Sequence, residues 1–333
     1  MKIKRRDFLK GAAGSMALLA LDGQDARALT APTLSPEALG ILFDSTLCVG
    51  CNACMASCKD ANDMPPDFTE GQDIWDKPVD LSPNTLNIIK KFTSGTGETK
   101  DAESDGYAFI KMQCLHCVDP SCVTACPVSA LLKDKDTGIV TYHKHACIGC
   151  RYCQVACPYN VPKFDFNHIY PVIVKCQLCD HLIAEDKTPA CCSVCPTGAA
   201  LFGKVVDLKV ETERRQRMVP GTIYKYPVKS LDSGLTLKNA APEYVPHVYG
   251  EKELGGTQVM FMSAVSFDKF ALPDFPDKSF ASTSNSIQGA IYTGMIFPLA
   301  VLAGLMFIVK KNTQQEETKT AEKEKDNKEE NHE

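Results

Sequence analysis

An α+β fold of two similar halves, followed by one membrane helix, is what this sequence predicts, and three observations carry the prediction. Sixteen of its 17 cysteines fall into four runs of four. Short apolar or alternating segments, at 38–43, 107–111 and 131–142, sit between or ahead of those runs. An uncharged apolar stretch, Ile287 to Val309, lies near the C-terminus. A chain of 333 residues has room for two modest domains, and no ordinary core uses so much cysteine. The net charge of −5, without clustered Lys and Arg, argues against a nucleic-acid partner.

The chemistry is set by spacing. Cys147, Cys150, Cys153 and Cys157 read C-x2-C-x2-C-x3-C-P, the ferredoxin pattern for a [4Fe-4S] cube. Three closely spaced thiolates curl around one cube, while the fourth, before Pro158, leaves the loop for a neighbouring cube. Cys114, Cys117, Cys122 and Cys126 share that ending at Pro127 and carry two extra residues before the third cysteine. A cross-ligated pair follows: Cys114, Cys117, Cys122 and Cys157 hold one cube, and Cys147, Cys150, Cys153 and Cys126 the other.

The elements follow in chain order. Arg5 and Arg6, then Phe8 and Leu9 ahead of a mildly apolar run, look like a twin-arginine export signal over residues 1–28, ending at the A-x-A site Ala26–Ala28. Its removal leaves a formal charge of about −8. Export of an already folded chain suits cysteines that periplasmic oxidation would otherwise pair. Residues 38–203 form the four-cluster region. Ala38–Phe43 is a strand candidate leading into Cys48, Cys51, Cys54 and Cys58, a run whose last cysteine is followed by Lys59 instead of proline, which weakens the turn and leaves the ligand count intact. The insertion, 59–106, is rich in Pro, Gly, Asp and Thr and reads as long irregular connections, either partner-contact surface or cover for a buried site, with Trp75 as a packing anchor. Tyr107–Lys111 alternates as a strand, Val128–Leu132 has room for helical turns, and 131–142 around Asp136-Thr137-Gly138 is a hairpin. His116, His143 and His145 lie near the runs and are read as bystanders, because each run already has four thiolates.

In the fourth run, Cys176 and Cys179 are followed by Cys191 and by Cys195-Pro196; Cys191 repeats the x3 spacing, whereas Cys192 breaks it and reads as a buried thiol. With the central runs paired, the outer two pair with each other. Cys48, Cys51, Cys54 and Cys195 then hold one cube and Cys176, Cys179, Cys191 and Cys58 the other, giving four [4Fe-4S] clusters in two pseudo-symmetric, nested ferredoxin-like double-cluster units. Structural zinc needs only two C-x2-C knuckles per site, and a disulfide framework does not require a fourfold repeat and leaves one thiol over. The extension, 204–286, offers a strand at 257–262 and no nucleotide, serine-hydrolase or zinc-protease motif. Residues 287–309 reach about 34 Å as a helix against roughly 30 Å of hydrocarbon, and Lys310-Lys311 place the following end in the cytoplasm. The tail, 310–333, is charged and without apolar period, and is expected to be disordered.

These runs resemble the family of iron–sulfur electron-transfer subunits of membrane-bound oxidoreductases, such as formate dehydrogenase, polysulfide reductase and nitrite-reduction complexes. Segments outside the ligands are similar to the narrower group that serves periplasmic nickel-iron hydrogenases of the hydrogenase-2 type: STLCVGC at 45–51, TSGTG at 93–97, QCLHCVDPSC at 113–122, GCRYCQVACPYNVPK at 149–163, YGEKELGGTQV at 249–259 and PLAVLAGL at 298–305. The resemblance covers nearly the whole chain; the doubled Cys191-Cys192 and the long charged tail depart from it. It implies a subunit that is not catalytic alone. Such a subunit takes electrons from the small and large nickel-iron hydrogenase subunits and passes them to a multi-span membrane subunit that reduces quinone. It works at the periplasmic face, anchored by its own C-terminal helix. The equivalent subunit of a formate dehydrogenase, or of another respiratory molybdenum enzyme, is the alternative.

Overall fold

The computed structural model describes residues 32–66, 75, 78–166 and 172–329, so the export signal expected over 1–28 lies outside the described residues. Residues 31–282 form one compact unit, and the helix beyond Ser282 belongs to another. Strand β1 (Leu39–Asp44) enters the first cysteine loop, and helix α1 (Ala53–Ala61) leaves it. Lacking a proline after Cys58, α1 runs on, and Lys59 holds it down by donating to the carbonyls of Asn84 (2.6 Å) and Pro65 (3.0 Å). The missing proline therefore lengthens a helix and leaves the loop in place.

The described part of the insertion is more ordered than its composition predicts. Strands β2 (Ile88–Thr93) and β3 (Thr99–Lys100) flank β4 (Gly106–Met112), antiparallel and parallel to it respectively. The Ile88-Ile89 end of β2 is buried, and that burial outweighs the Pro and Gly around it. Trp75 packs against Phe109, with ring centroids 5.4 Å apart, and its indole N–H donates to Gly50 O at 2.8 Å, so it covers the first cysteine loop.

After β4 come helix α2 (Ser121–Thr124), the hairpin β5 (Leu131–Lys133) and β6 (Val140–Tyr142), helix α3 (Tyr152–Ala156) and the pair β7 (Lys163–Phe164) and β8 (Ile173–Val174). The helical turns expected at Val128–Leu132 do not form. Ser129 takes a left-handed φ of 52°, Ala130 N turns onto Cys126 Sγ, and Leu131 pairs with Tyr142 as strand.

Helices α4 (Asp180–Ile183) and α5 (Ala190–Ser193) frame the last run. Strand β9 (Ala200–Lys204) then returns antiparallel to β1, and helix α6 (Val205–Gln216) buries Val205, Leu208, Thr212 and Arg215 along one face. The hairpin β10 (Ile223–Pro227) and β11 (Thr236–Ala240) precedes β12 (Val259–Met262), which pairs parallel with β1. The extension is thus part of the main sheet, ordered β12-β1-β9. Gln258 joins the halves: its amide donates to Leu39 O (2.6 Å) and Thr137 O (2.9 Å) and accepts from Lys133 Nζ (2.7 Å). Gly138 is required beside it, since a Cβ there would lie 2.6 Å from the Gln258 side chain.

Helix α7 (Phe280–Glu329) is continuous and is the one helix among the described residues long and apolar enough to cross a membrane. It contains Pro298 and runs well past Val309, where the sequence suggested disorder. Glu, Lys, Gln and Ala are strong helix formers, and they prolong a helix that the apolar segment has already nucleated.

Candidate metal centres

The four runs fold to one local design. Two residues after the first cysteine of each run stands a left-handed residue: Gly50 (φ 67°), His116 (47°), Gly149 (70°) and Leu178 (57°). That conformation swings the N–H back onto the preceding sulfur, Gly149 N to Cys147 Sγ at 3.4 Å and Leu178 N to Cys176 Sγ at 3.4 Å. Glycine accepts it freely, whereas His116 and Leu178 hold it against strain, both fully buried. The third cysteine of each run, Cys54, Cys122, Cys153 or Cys191, is the second residue of a short helix. In the fourth run Cys191 holds this position and Cys192 the next. The fourth cysteine comes one helical turn later, and its sulfur draws a second set of donors, Ala130 N to Cys126 Sγ at 3.2 Å and Ala200 N to Cys195 Sγ at 3.5 Å.

Electrostatic neighbours gather the sixteen thiols into four groups, with Cys54 and Cys176 at the borders, where Cys191 and Cys114 are their strongest thiol neighbours. Cys48 and Cys54 interact with each other and with Cys195, and Cys48 also with Cys51. Cys58 and Cys176 interact, and both meet Cys179 and Cys191. Cys117 meets Cys114, Cys122 and Cys157. Cys153 meets Cys126, Cys147 and Cys150. The fourth cysteine of every run has therefore left its own loop for another. The first group, with Phe43 and Ile89, lines one pocket, and the last, with Leu131 and Ile173, lines another. Between groups the thiols that sense one another are Cys54 and Cys191, Cys176 and Cys114, and Cys122 and Cys153. Those links place the quartets in a row, first, second, third and fourth as just given. Solvent reaches both ends, at the exposed Cys51 and at Ile148 and Val155, which are 64% and 86% exposed.

The donor set fits a polynuclear cluster. Each group is four cysteines and no histidine or carboxylate, the all-thiolate set that [4Fe-4S] cubes take. Burial pushes the free thiols of Cys48, Cys54 and Cys122 up to about 12 and those of Cys58 and Cys153 to about 11, with neighbouring thiols adding to it. Iron must displace those protons, so loading the sites releases acid. Cys191 moves the other way. A hydrogen bond from Cys192, 4.0 Å away, holds its pKa below the usual thiol value despite burial, and Lys111 adds to this; burial and Cys191 raise Cys192.

His116 Nδ1 accepts from Val140 N at 3.0 Å, and burial, followed by the charges of Lys175 and Lys133, holds its pKa well below the usual value, so it stays neutral. Three buried or half-buried lysines beside the quartets, Lys111, Lys133 and Lys175, escaped the sequence reading. The available signal was a lysine inside an apolar strand only three residues ahead of Cys114.

Comparison with known proteins agrees with this geometry. The 4Fe-4S dicluster domain matches twice, over residues 106–205 and 47–130. Hydrogenase-2 operon protein HybA of Escherichia coli O157:H7 is 48% identical over 316 residues, covering 93% of this chain and 96% of that protein, and the Shigella flexneri protein of that name matches equally. The iron-sulfur subunit of the nitrate-inducible formate dehydrogenase of Escherichia coli K12 is 28% identical over 274 residues, covering 80% of this chain and 82% of that protein.

Proposed function

Because this chain belongs to the family of Hydrogenase-2 operon protein HybA, we propose that it is the electron-transfer subunit of a hydrogenase-2 complex. The carrying observation is the row of four thiol quartets, each closed by a cysteine from another run. Four [4Fe-4S] clusters are its cofactors, and when bound each takes up and returns one electron. The ligands are Cys48, Cys51, Cys54 and Cys195; Cys58, Cys176, Cys179 and Cys191; Cys114, Cys117, Cys122 and Cys157; and Cys126, Cys147, Cys150 and Cys153. The chain does no bond chemistry of its own. Its residues bury most of the sulfurs, fix their order in space and aim N–H groups at them, which together set potential.

Electrons from hydrogen enter from the small and large nickel-iron subunits and leave to a multi-span membrane subunit that reduces quinone. The compact unit works at the periplasmic face after twin-arginine export. Residues 287–309 anchor it, and Lys310-Lys311 hold the C-terminus in the cytoplasm.

Identification of the chains that co-purify from gently solubilised membranes tests the reading: nickel-iron hydrogenase subunits support it, and a molybdenum enzyme in their place overturns it. Replacing Cys147 by Ala separates a wire from a mere anchor. Hydrogen-driven quinone reduction is lost if the chain carries the electrons and survives if it only tethers its partners.

A further inference from the structure

We propose that Lys111 is a fixed cation shared by the first and second quartets, placed between them to stabilise the reduced state of the clusters they hold. The inference rests on the iron–sulfur reading of those quartets. Lys111, near the end of β4, is 1% exposed, and no oxygen or nitrogen among the described residues accepts from its Nζ. Lys111 stands directly opposite Ile89 in the sheet, and Ile89 lines the pocket of the first quartet beside Cys54. The helices that carry Cys54 and Cys191 are joined there by Ser57 Oγ, which donates to Ala190 O at 3.2 Å, and the sulfurs that act on Lys111 are those of Cys191, Cys54 and Cys192. Cys54 belongs to the first quartet and Cys191 to the second, so one ammonium faces both.

The other lysines near the quartets are held differently. Lys175 donates to Val140 O and Cys176 O, and Lys133 to Cys117 O (2.9 Å), Gly138 O (2.7 Å) and Gln258 Oε1 (2.7 Å). Those two cations are solvated by the protein's own oxygens. Lys111 has sulfur beside it instead of oxygen, and a buried ammonium so weakly compensated is costly. The missing counter-charge is what the quartets supply once loaded. Four thiolates, four sulfides, two ferric and two ferrous ions leave a cube doubly negative, and one added electron makes it triply negative. A positive charge fixed nearby favours the more negative form, so it raises the potential of both clusters.

The test uses the full-length, cluster-loaded chain and its Lys111→Met and Lys111→Arg variants, in a redox titration followed by electron paramagnetic resonance, with iron and sulfide assayed in parallel. In Lys111→Met two of the four clusters, assigned through Cys51→Ser and Cys179→Ser, are expected to become about tenfold harder to reduce, a fall of about 59 mV for a one-electron couple. The other two stay in place, and Lys111→Arg keeps the wild-type values. Four unmoved potentials at full iron content overturn the proposal, as does an equal fall in Lys111→Arg. If Lys111→Met loses the clusters while Lys111→Arg keeps them, the charge is again the cause; loss from both shows that it is not. Iron-free wild-type protein would instead refute the cluster reading itself.

Discussion

Arg215 Nη1 donates to Asp44 Oδ2 at 2.7 Å, with both side chains fully buried and 171 positions apart in sequence. Asp44 ends β1. Its other oxygen accepts from Thr46 N (3.0 Å) and Thr46 Oγ1 (2.5 Å), which turns the chain towards Cys48, and Tyr244 Oη shares Oδ2 at 2.6 Å. The first quartet therefore depends on a salt bridge made by a helix of the extension. Removing one partner of such a pair leaves a charge buried and alone, at about 3–5 kcal/mol. Arg215→Met is expected to lower stability by that amount, read from denaturant unfolding followed by circular dichroism, and to bleach the visible iron–sulfur absorbance early. The double variant with Asp44→Asn recovers part of the loss; equal stability of wild type and Arg215→Met would remove the pair from the account.

Gly50 carries a second expectation. A Cβ there would stand 2.4 Å from the Phe109 ring and 2.9 Å from Trp75 Nε1, at a φ of 67°. Left-handed backbone alone costs about 1–2 kcal/mol for a residue with a side chain, and the clash adds to it. Gly50→Ala should lose about four iron atoms per chain, one cube. Gly221→Ala, also at positive φ but with nothing within 4 Å of the added carbon, bears only the conformational cost and keeps its iron.

Cys191 and Cys192 differ in role although they are adjacent and both buried. Cys191→Ala is expected to lose or convert one cluster. Cys192→Ala retains all four by iron assay and shifts a single potential, since it removes only the S–H donor to Cys191. Equal iron loss from both would mean that the ligand assignment in the fourth run is wrong.

Glu211 gives the acid limb of stability. Burial opposes its charge, yet hydrogen bonds from Arg214 and Arg215 hold its pKa below the usual glutamate value. A depressed carboxyl contributes stability that is fully present above the unfolded pKa and is lost as pH falls through the folded one. Unfolding free energy is thus expected to drop below the ordinary glutamate range near pH 4, and Glu211→Gln to flatten that drop. A parallel pH profile in the variant would contradict this.

What the sequence made legible was the chemistry carried by local spacing. Cys147-x2-Cys150-x2-Cys153-x3-Cys157 dictates its loop almost alone, because three ligands, a left-handed Gly149 and one helical turn are adjacent in the chain. The hairpin at 131–142 and strands β1, β4 and β12 were legible for the same reason, being short and apolar. Contacts that join distant segments were not. Helix α6 buries Glu211 and Arg215 on the face that should be apolar, so its period is masked by the ion pairs that hold it. Lys111 sits in a strand where alternation gives no hint that its charge lies among sulfurs contributed by Cys54 and Cys191. Strand β2 is hidden in a Pro- and Gly-rich insertion and is stabilised by distant partners, β4 beside it and the Phe270 ring 6.2 Å from Phe92.

The most direct test is a count of iron and acid-labile sulfide in the full-length chain, with paramagnetic resonance of the reduced protein. The row of quartets predicts about 16 of each per chain and the spectrum of four interacting one-electron centres. A folded chain with intact secondary structure, no iron and no signal would contradict it.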